Sequence, residues 1–436
     1  MRILKAYNNF YVAIILLLIF IGTFLVPLEL HPKVRYAVIF LLHVLVILSL
    51  KNSFVSMNRW LFFAIIVLIP SGLLGLYMEW SYIDISADIG RYLAPFLGYA
   101  AGVLLFNHLD YYRILYVLYG LLALKLFSFY GSVVSKVSNV FQGGPLVEYA
   151  SPYGLEVHFL YTFLAYFLLK NRLVLLENKI VSWFIKVLLI GYIVGFIVNP
   201  ILIMSKARTL TMLLSLTLIF IFFTNLKNKV LLIILATLVT GTFLLYYSGQ
   251  TYNDSTALNS VTFRFQDTLE LMKTNVYSAD SSTAYRVAEI KNVFGMLYDK
   301  FPYSLPFGFG SGALYYENYA TIKGGISQGN YRPDGGIHDI FFMPGGYLFR
   351  YGMIGLLFMF YFVMHNYRKI SINNTNTHQD TIAASLKLFI IISIIADLFV
   401  PVHAFGNFQY GLFIAMGIVL QNKFKDQYSP SKASVV

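Results

Sequence analysis

Residues 187–223 read VLLIGYIVGFIVNPILIMSKARTLTMLLSLTLIFIFF. Lys206 and Arg208 are the only charges in this stretch, which is long enough for two successive helices of about 20 residues to cross a bilayer. The break between the two helices falls at Asn199-Pro200 and the Ser205-Lys206-Ala207-Arg208-Thr209 segment. Cations at such a boundary are costly unless they reach lipid phosphate or meet a ligand.

The rest of the chain is of the same kind. Of its 436 residues 58% are hydrophobic and 12% charged, where a soluble protein carries about a quarter charged residues. Apolar runs predict about twelve spanning helices, centred near Leu17, Leu42, Ile66, Leu97, Leu118, Phe163, Leu189, Leu216, Leu235, Leu357, Ile392 and Met416. An even number puts both termini on one side. Short connections on that side hold Arg2, Lys51, Arg59, Arg113, Lys170, Lys227, Arg368, Lys369 and Lys423 against few acids, which makes it the cytoplasm. Most of the carboxylates, among them Glu29, Glu79, Asp84 and Asp88, fall on the opposite face. The predicted fold is therefore an all-α polytopic membrane protein. Residues 1–247 carry spans one to nine, 248–340 a large external loop, 341–422 spans ten to twelve and 423–436 a cytoplasmic tail. Phe10 to Val26 has no small-residue cleavage site and reads as an uncleaved first helix.

The formal charge, 32 basic less 20 acidic residues or +12, is accounted for by this topology without any nucleic-acid partner. With no cysteine the chain has no disulfide, thiolate metal site or cysteine nucleophile, and its eight histidines lack the spacing of a zinc motif. Neither Asp-x-Asp nor Gly-x-x-x-x-Gly-Lys occurs, which argues against metal-dependent use of a nucleotide sugar and against an ATPase. The two halves show no convincing duplication, a weak argument against a transporter.

A structureless loop of about ninety residues is improbable, so the external segment is expected to contain a folded element. In Ala284 to Tyr298 the residues Val287, Ile290, Phe294 and Leu297 form one apolar stripe at helical spacing, flanked by Arg286, Glu289 and Asn292. Then comes Phe301-Pro302-Tyr303-Ser304-Leu305-Pro306-Phe307-Gly308-Phe309-Gly310-Ser311-Gly312, whose alternate glycines suit either a tight loop or a backbone cradle for a diphosphate. Tyr315, Tyr316, Tyr319 and Tyr331 suit sugar stacking or an interfacial belt equally.

Five charges gather at the outer edge of the predicted bundle. Arg208 opens the eighth span; Arg91 opens the fourth, with Asp88 as its local partner; Arg286 has Glu289 at i+3; Lys206 and Arg264 are further cations. Arg350 and Asp397 fall at similar depth in the tenth and eleventh spans and are expected to pair. His338 stands where the external loop re-enters the membrane, and an imidazole at a water–lipid boundary can serve as a general base.

Taken together, these segments resemble the O-antigen polymerase and O-antigen ligase superfamily of bacterial envelope glycosyltransferases. The matching pieces are Ser205 to Thr209 running into a span, the Arg286 helix ending in the Pro302 to Gly312 turn, and His338 followed by Gly352-Met353-Ile354-Gly355. The interval from His338 to those glycines is longer than the family pattern by about three residues, nearly one helical turn, and Asp339 stands where Asn is usual.

The resemblance implies a GT-C-like fold in the inner membrane and a metal-independent, inverting transfer on the periplasmic face that uses no cofactor. A glycan would move from undecaprenyl diphosphate to an acceptor hydroxyl. Arg208 and Arg286, with Lys206, Arg91 and Arg264, would hold the diphosphate, and His338 would deprotonate the acceptor. The composition favours a repeat-unit polymerase, with a chain-length-regulating co-polymerase as its implied partner. Ligation to lipid A-core, or flipping of a lipid-linked oligosaccharide, are the alternatives.

Overall fold

The computed structural model describes residues 59–108, 183, 282–320, 335–338, 340, 343–370, 383, 386–391, 393–394 and 408–428. Most of these are helical, and they contain no strand beyond an isolated antiparallel bridge between Tyr315 and Ile337. Six helices are named in chain order: α1 Arg59–Tyr77, α2 Tyr82–His108, α3 Ser282–Asp299, α4 Ser304–Phe307, α5 Met343–Lys369 and α6 Phe408–Tyr428. α1 and α5 are long and apolar enough to cross a membrane. They coincide with the predicted third and tenth spans, and α2 and α6 with the fourth and twelfth; the other predicted spans lie outside the described residues or are described only in fragments.

α1 turns into α2 through a left-handed cap. Glu79, at φ 59, donates its amide to Leu76, and Trp80 donates to Gly75, so that two terminal carbonyls of α1 are satisfied. The Trp80 indole N–H then reaches the Phe309 carbonyl at 3.2 Å and ties this cap to the glycine-rich turn.

Helix directions follow from the contacts. At one end Arg59 of α1 meets His365 of α5, and at the other Ser71 meets Arg350, so α1 runs antiparallel to α5. Tyr92 packs on Tyr351, Phe96 on Phe358 and Tyr99 on Phe362, which makes α2 parallel to α5. Gly98 lies against Phe408 and Gly102 against Ala415, so α6 runs parallel to both. A Cβ on Gly98 or Gly411 would fall on the backbone of the facing helix, and these small residues are what let α2 and α6 meet backbone to backbone.

The segment that carries α3 builds a core against α5. Val293 and Leu297 of α3 pack with Phe309, Ala313, Tyr315, Ile337, Ile340 and Phe349. The helix over 284–298 is borne out within two residues, but its buried face is not the expected stripe. Phe294 is 42% exposed, while Ala288, Glu289 and Asn292 are buried. The cause is the chain that returns beneath the helix. Asn292 accepts from the amides of Tyr319 and Ala320 at 2.7 and 3.0 Å and donates to the Ala320 carbonyl at 2.8 Å, backbone groups that no apolar residue could satisfy. An Asn292→Leu substitution is therefore expected to cost about 1–3 kcal/mol and to expose the 316–320 segment to chymotrypsin, which cuts after aromatic residues such as Tyr316 and Tyr319. Unchanged digestion would show that Asn292 does not hold the segment.

Candidate functional site

Four separate pieces of chain meet at the end of the bundle where α1 stops and α2 begins. Their focus is Asp88 of α2, which is fully buried. Its Oδ2 accepts the Gly312 amide at 2.7 Å and lies 2.9 Å from Arg350 Nε, while His338 Nε2 is 3.3 Å from each carboxylate oxygen. The Arg350 Nε–H does not point along its line to Asp88, so that contact is an ion pair and not a directed hydrogen bond. The guanidinium instead donates through Nη2 to the His338 carbonyl. One arginine thus neutralises Asp88 and grips the backbone of the residue that Asp88 orients.

A break in α5 makes room for this arrangement. Gly352 sits at φ 65 and ψ −170, a conformation that needs glycine, and a Cβ there would strike the Pro306 carbonyl. The break releases the carbonyls of Phe349 and Arg350 from helical bonding. The Phe309 amide takes the first at 2.6 Å and the Ser71 hydroxyl the second at 3.0 Å. The Ser71 carbonyl in turn accepts the Ser311 amide at 3.0 Å. Below this level Tyr92 donates to the Gly355 carbonyl and Tyr351 to that of Asp88, locking α2 to α5 on both sides of the break.

The glycine turn is accordingly not an anion cradle. The amides of Gly308, Phe309, Ser311, Gly312 and Ala313 all donate within the protein, to Ser304, Phe349, Ser71, Asp88 and Gly310. Positive φ at Gly312, 84°, is what aims its amide at Asp88. Through the amides of Phe309, Ser311 and Gly312 the turn is a plug that clamps α1, α2 and α5 together.

Of the predicted site residues, the structure brings His338 into this cluster. It is 7% exposed and held by protein groups, whereas the sequence placed it at an open boundary. Arg91 is exposed, and Asp88 turns its carboxylate to Gly312, His338 and Arg350 in place of the expected local pairing with Arg91. Arg286 falls in the first turns of α3, with its side chain outside the described residues; Lys206, Arg208 and Arg264 lie outside them altogether. Arg350 pairs with Asp88, and Asp397, its expected partner, lies outside the described residues. Of the tyrosines, Tyr315 is buried in the bridge to Ile337 and available neither to a sugar nor to a lipid; Tyr331 lies outside the described residues.

Asp88 and Arg350 are thus the two members of the cluster that sequence reading assigned to other partners. The signal was present, an acid and a base each a few residues inside an apolar helix, but depth alone does not choose among Asp88, Asp397 and Arg91. Among the described residues no group of three His, Asp or Glu side chains could hold a metal ion. The tautomer in which Nε2 donates to Asp88 is the one that leaves Nδ1 as the basic nitrogen, an arrangement that suits proton transfer.

The chain matches no protein-family model, and no curated protein is significantly similar to it.

Proposed function

We propose that this protein is a membrane glycosyltransferase that polymerises lipid-linked oligosaccharide repeat units. The observation that carries the reading is a histidine oriented by a buried, charge-compensated aspartate, His338 with Asp88 and Arg350, opposite the basic end of the bundle. The short motifs around Arg208, Arg286 and His338 point the same way by resemblance.

In this reading the acceptor sugar hydroxyl attacks the anomeric carbon of a glycan on undecaprenyl diphosphate. The new carbon–oxygen bond forms on the face opposite the departing phosphate, so the configuration inverts. His338 Nδ1 takes the hydroxyl proton, and the bond to phosphate breaks with its electron pair. Arg208 and Arg286, supported by Lys206, Arg91 and Arg264, meet the charge that develops on the diphosphate. Asp88 stabilises the imidazolium that forms, as a carboxylate does behind any general-base histidine.

The test is lipopolysaccharide from a strain lacking the gene, restored with plasmid-borne variants. The null strain should show cores capped by a single repeat unit, and wild type should restore the ladder. His338→Ala should leave membrane levels near wild type, since Asp88 keeps Arg350 and Gly312 as partners, yet restore no ladder. Lys273→Ala should restore it fully. A full ladder from His338→Ala would remove the histidine from the chemistry. Loss of every capped species, with long polymer still on the lipid carrier, would make the protein the ligase.

A further inference from the structure

At the end of the bundle away from Asp88, where α1 begins and α5 ends, three basic side chains converge. Arg59 Nη2 donates to His365 Nε2 at 3.4 Å, and Lys369 follows His365 by one helical turn on the same face of α5. The field of Arg59 reaches both His365 and Lys369. Among the described residues no carboxylate pairs with any of the three. Trp60 forms the floor of the cluster. Its ring packs edge-on against His365 at 5.1 Å and against Phe362 at 5.2 Å, and the Arg59 guanidinium lies over it at 5.5 Å.

His365, as acceptor of the Arg59 hydrogen bond, is the neutral member, and the two cations on either side of it, Arg59 and Lys369, repel each other unless an anion lies among them. The level of the cluster says where such an anion comes from. From Arg59 to Tyr77 α1 rises about 27 Å, close to the thickness of bilayer hydrocarbon, so Arg59 stands where hydrocarbon gives way to headgroups. At three- and four-residue steps from Arg59, the same side of α1 presents Phe62, Phe63, Ile66, Ile69 and Leu73, which are between 44% and 61% exposed. The cationic cluster is thus continuous with an exposed apolar strip along α1.

We propose that Arg59, His365 and Lys369 bind the phosphate of an anionic phospholipid in the leaflet at this end of the bundle. The guanidinium fork takes two phosphate oxygens, the ammonium of Lys369 a third, and Trp60 lies at headgroup level, where indole is favoured. The acyl chains run along the Phe62 to Leu73 strip. Bridged in this way, α1 and α5 are held together at the end where the Arg59–His365 hydrogen bond otherwise links them.

Full-length protein reconstituted in phosphatidylcholine vesicles, with and without a minority of phosphatidylglycerol, tests this by thermal unfolding followed by circular dichroism. Phosphatidylglycerol should raise the wild-type midpoint by about 2–4 °C, and high salt should abolish the rise. The Arg59→Gln/Lys369→Gln variant should unfold in phosphatidylcholine at or above the wild-type temperature, because repulsion is relieved, and should gain nothing from phosphatidylglycerol. If that variant does not fold, Lys369→Gln alone should lose about half of the rise. Three results would overturn the proposal: no rise in wild type, an undiminished rise in the variants, or an equal rise from inorganic phosphate added to phosphatidylcholine vesicles. The last would mark a site for a free anion.

Discussion

An Asp88→Ala variant is expected to lose about 3–5 kcal/mol of stability, because it leaves the Arg350 guanidinium buried without its counter-charge. Against the total of about 5–15 kcal/mol that folded proteins have to spare, most of the molecules would be removed by quality control before they could be assayed. Removing both charges should do less harm. In Asp88→Ala/Arg350→Leu the residual cost is the orphaned Gly312 amide and the lost grip of Arg350 on the His338 carbonyl, about 1–3 kcal/mol for each buried group. The thermal midpoint of the purified double variant should therefore lie between those of wild type and Asp88→Ala. A double variant no more stable than Asp88→Ala would show that the two residues do not compensate each other. Because Tyr351 bonds the backbone carbonyl of residue 88, that link between α2 and α5 survives in every one of these variants.

Gly411→Val should be as damaging, for a steric reason. Its Cβ would land on the Pro95 carbonyl, with Tyr99 N 2.6 Å away, and neither backbone group can move without parting α2 from α6. Overpacking in a core typically costs about 1–3 kcal/mol where side chains can adjust, and here none is available to adjust. Gly90→Ala on the same helix α2 is the internal control, since a Cβ there meets nothing within 4 Å. It should be neutral or stabilising by up to about 1 kcal/mol, the helix-propensity difference between the two residues. Equal melting temperatures for Gly411→Val and wild type would refute the backbone-to-backbone contact of α2 and α6.

The two ends of the bundle explain why some of the site was readable and some was not. The helix over Ser282–Asp299 was legible because its apolar residues recur at helical spacing, and the turn after it because its glycines mark positive φ. Which side of that helix is buried was not legible. Asn292 counts as polar by itself and becomes a core residue only when the chain at Tyr319 and Ala320 returns to use its amide. The glycine turn was open to two readings for a related reason. Its amides would suit an anion equally well, and only the positions of Ser71, Asp88 and Phe349 show that they are already taken.

By itself the sequence determined where the described apolar helices α1, α2, α5 and α6 fall along the chain. These positions follow from composition along a single helix, which does not depend on which helices are neighbours. The tertiary structure alone decided that Arg350 meets Asp88, that Asp88 turns from Arg91 to His338, and that a break at Gly352 gives the Phe309 amide and the Ser71 hydroxyl their acceptors. Hydropathy places a residue at a depth in the bundle, but an ion pair needs two residues at the same depth and on facing sides. That lateral arrangement is settled by close packing at positions such as Gly98, Gly352 and Gly411, where what matters is the side chain that is missing.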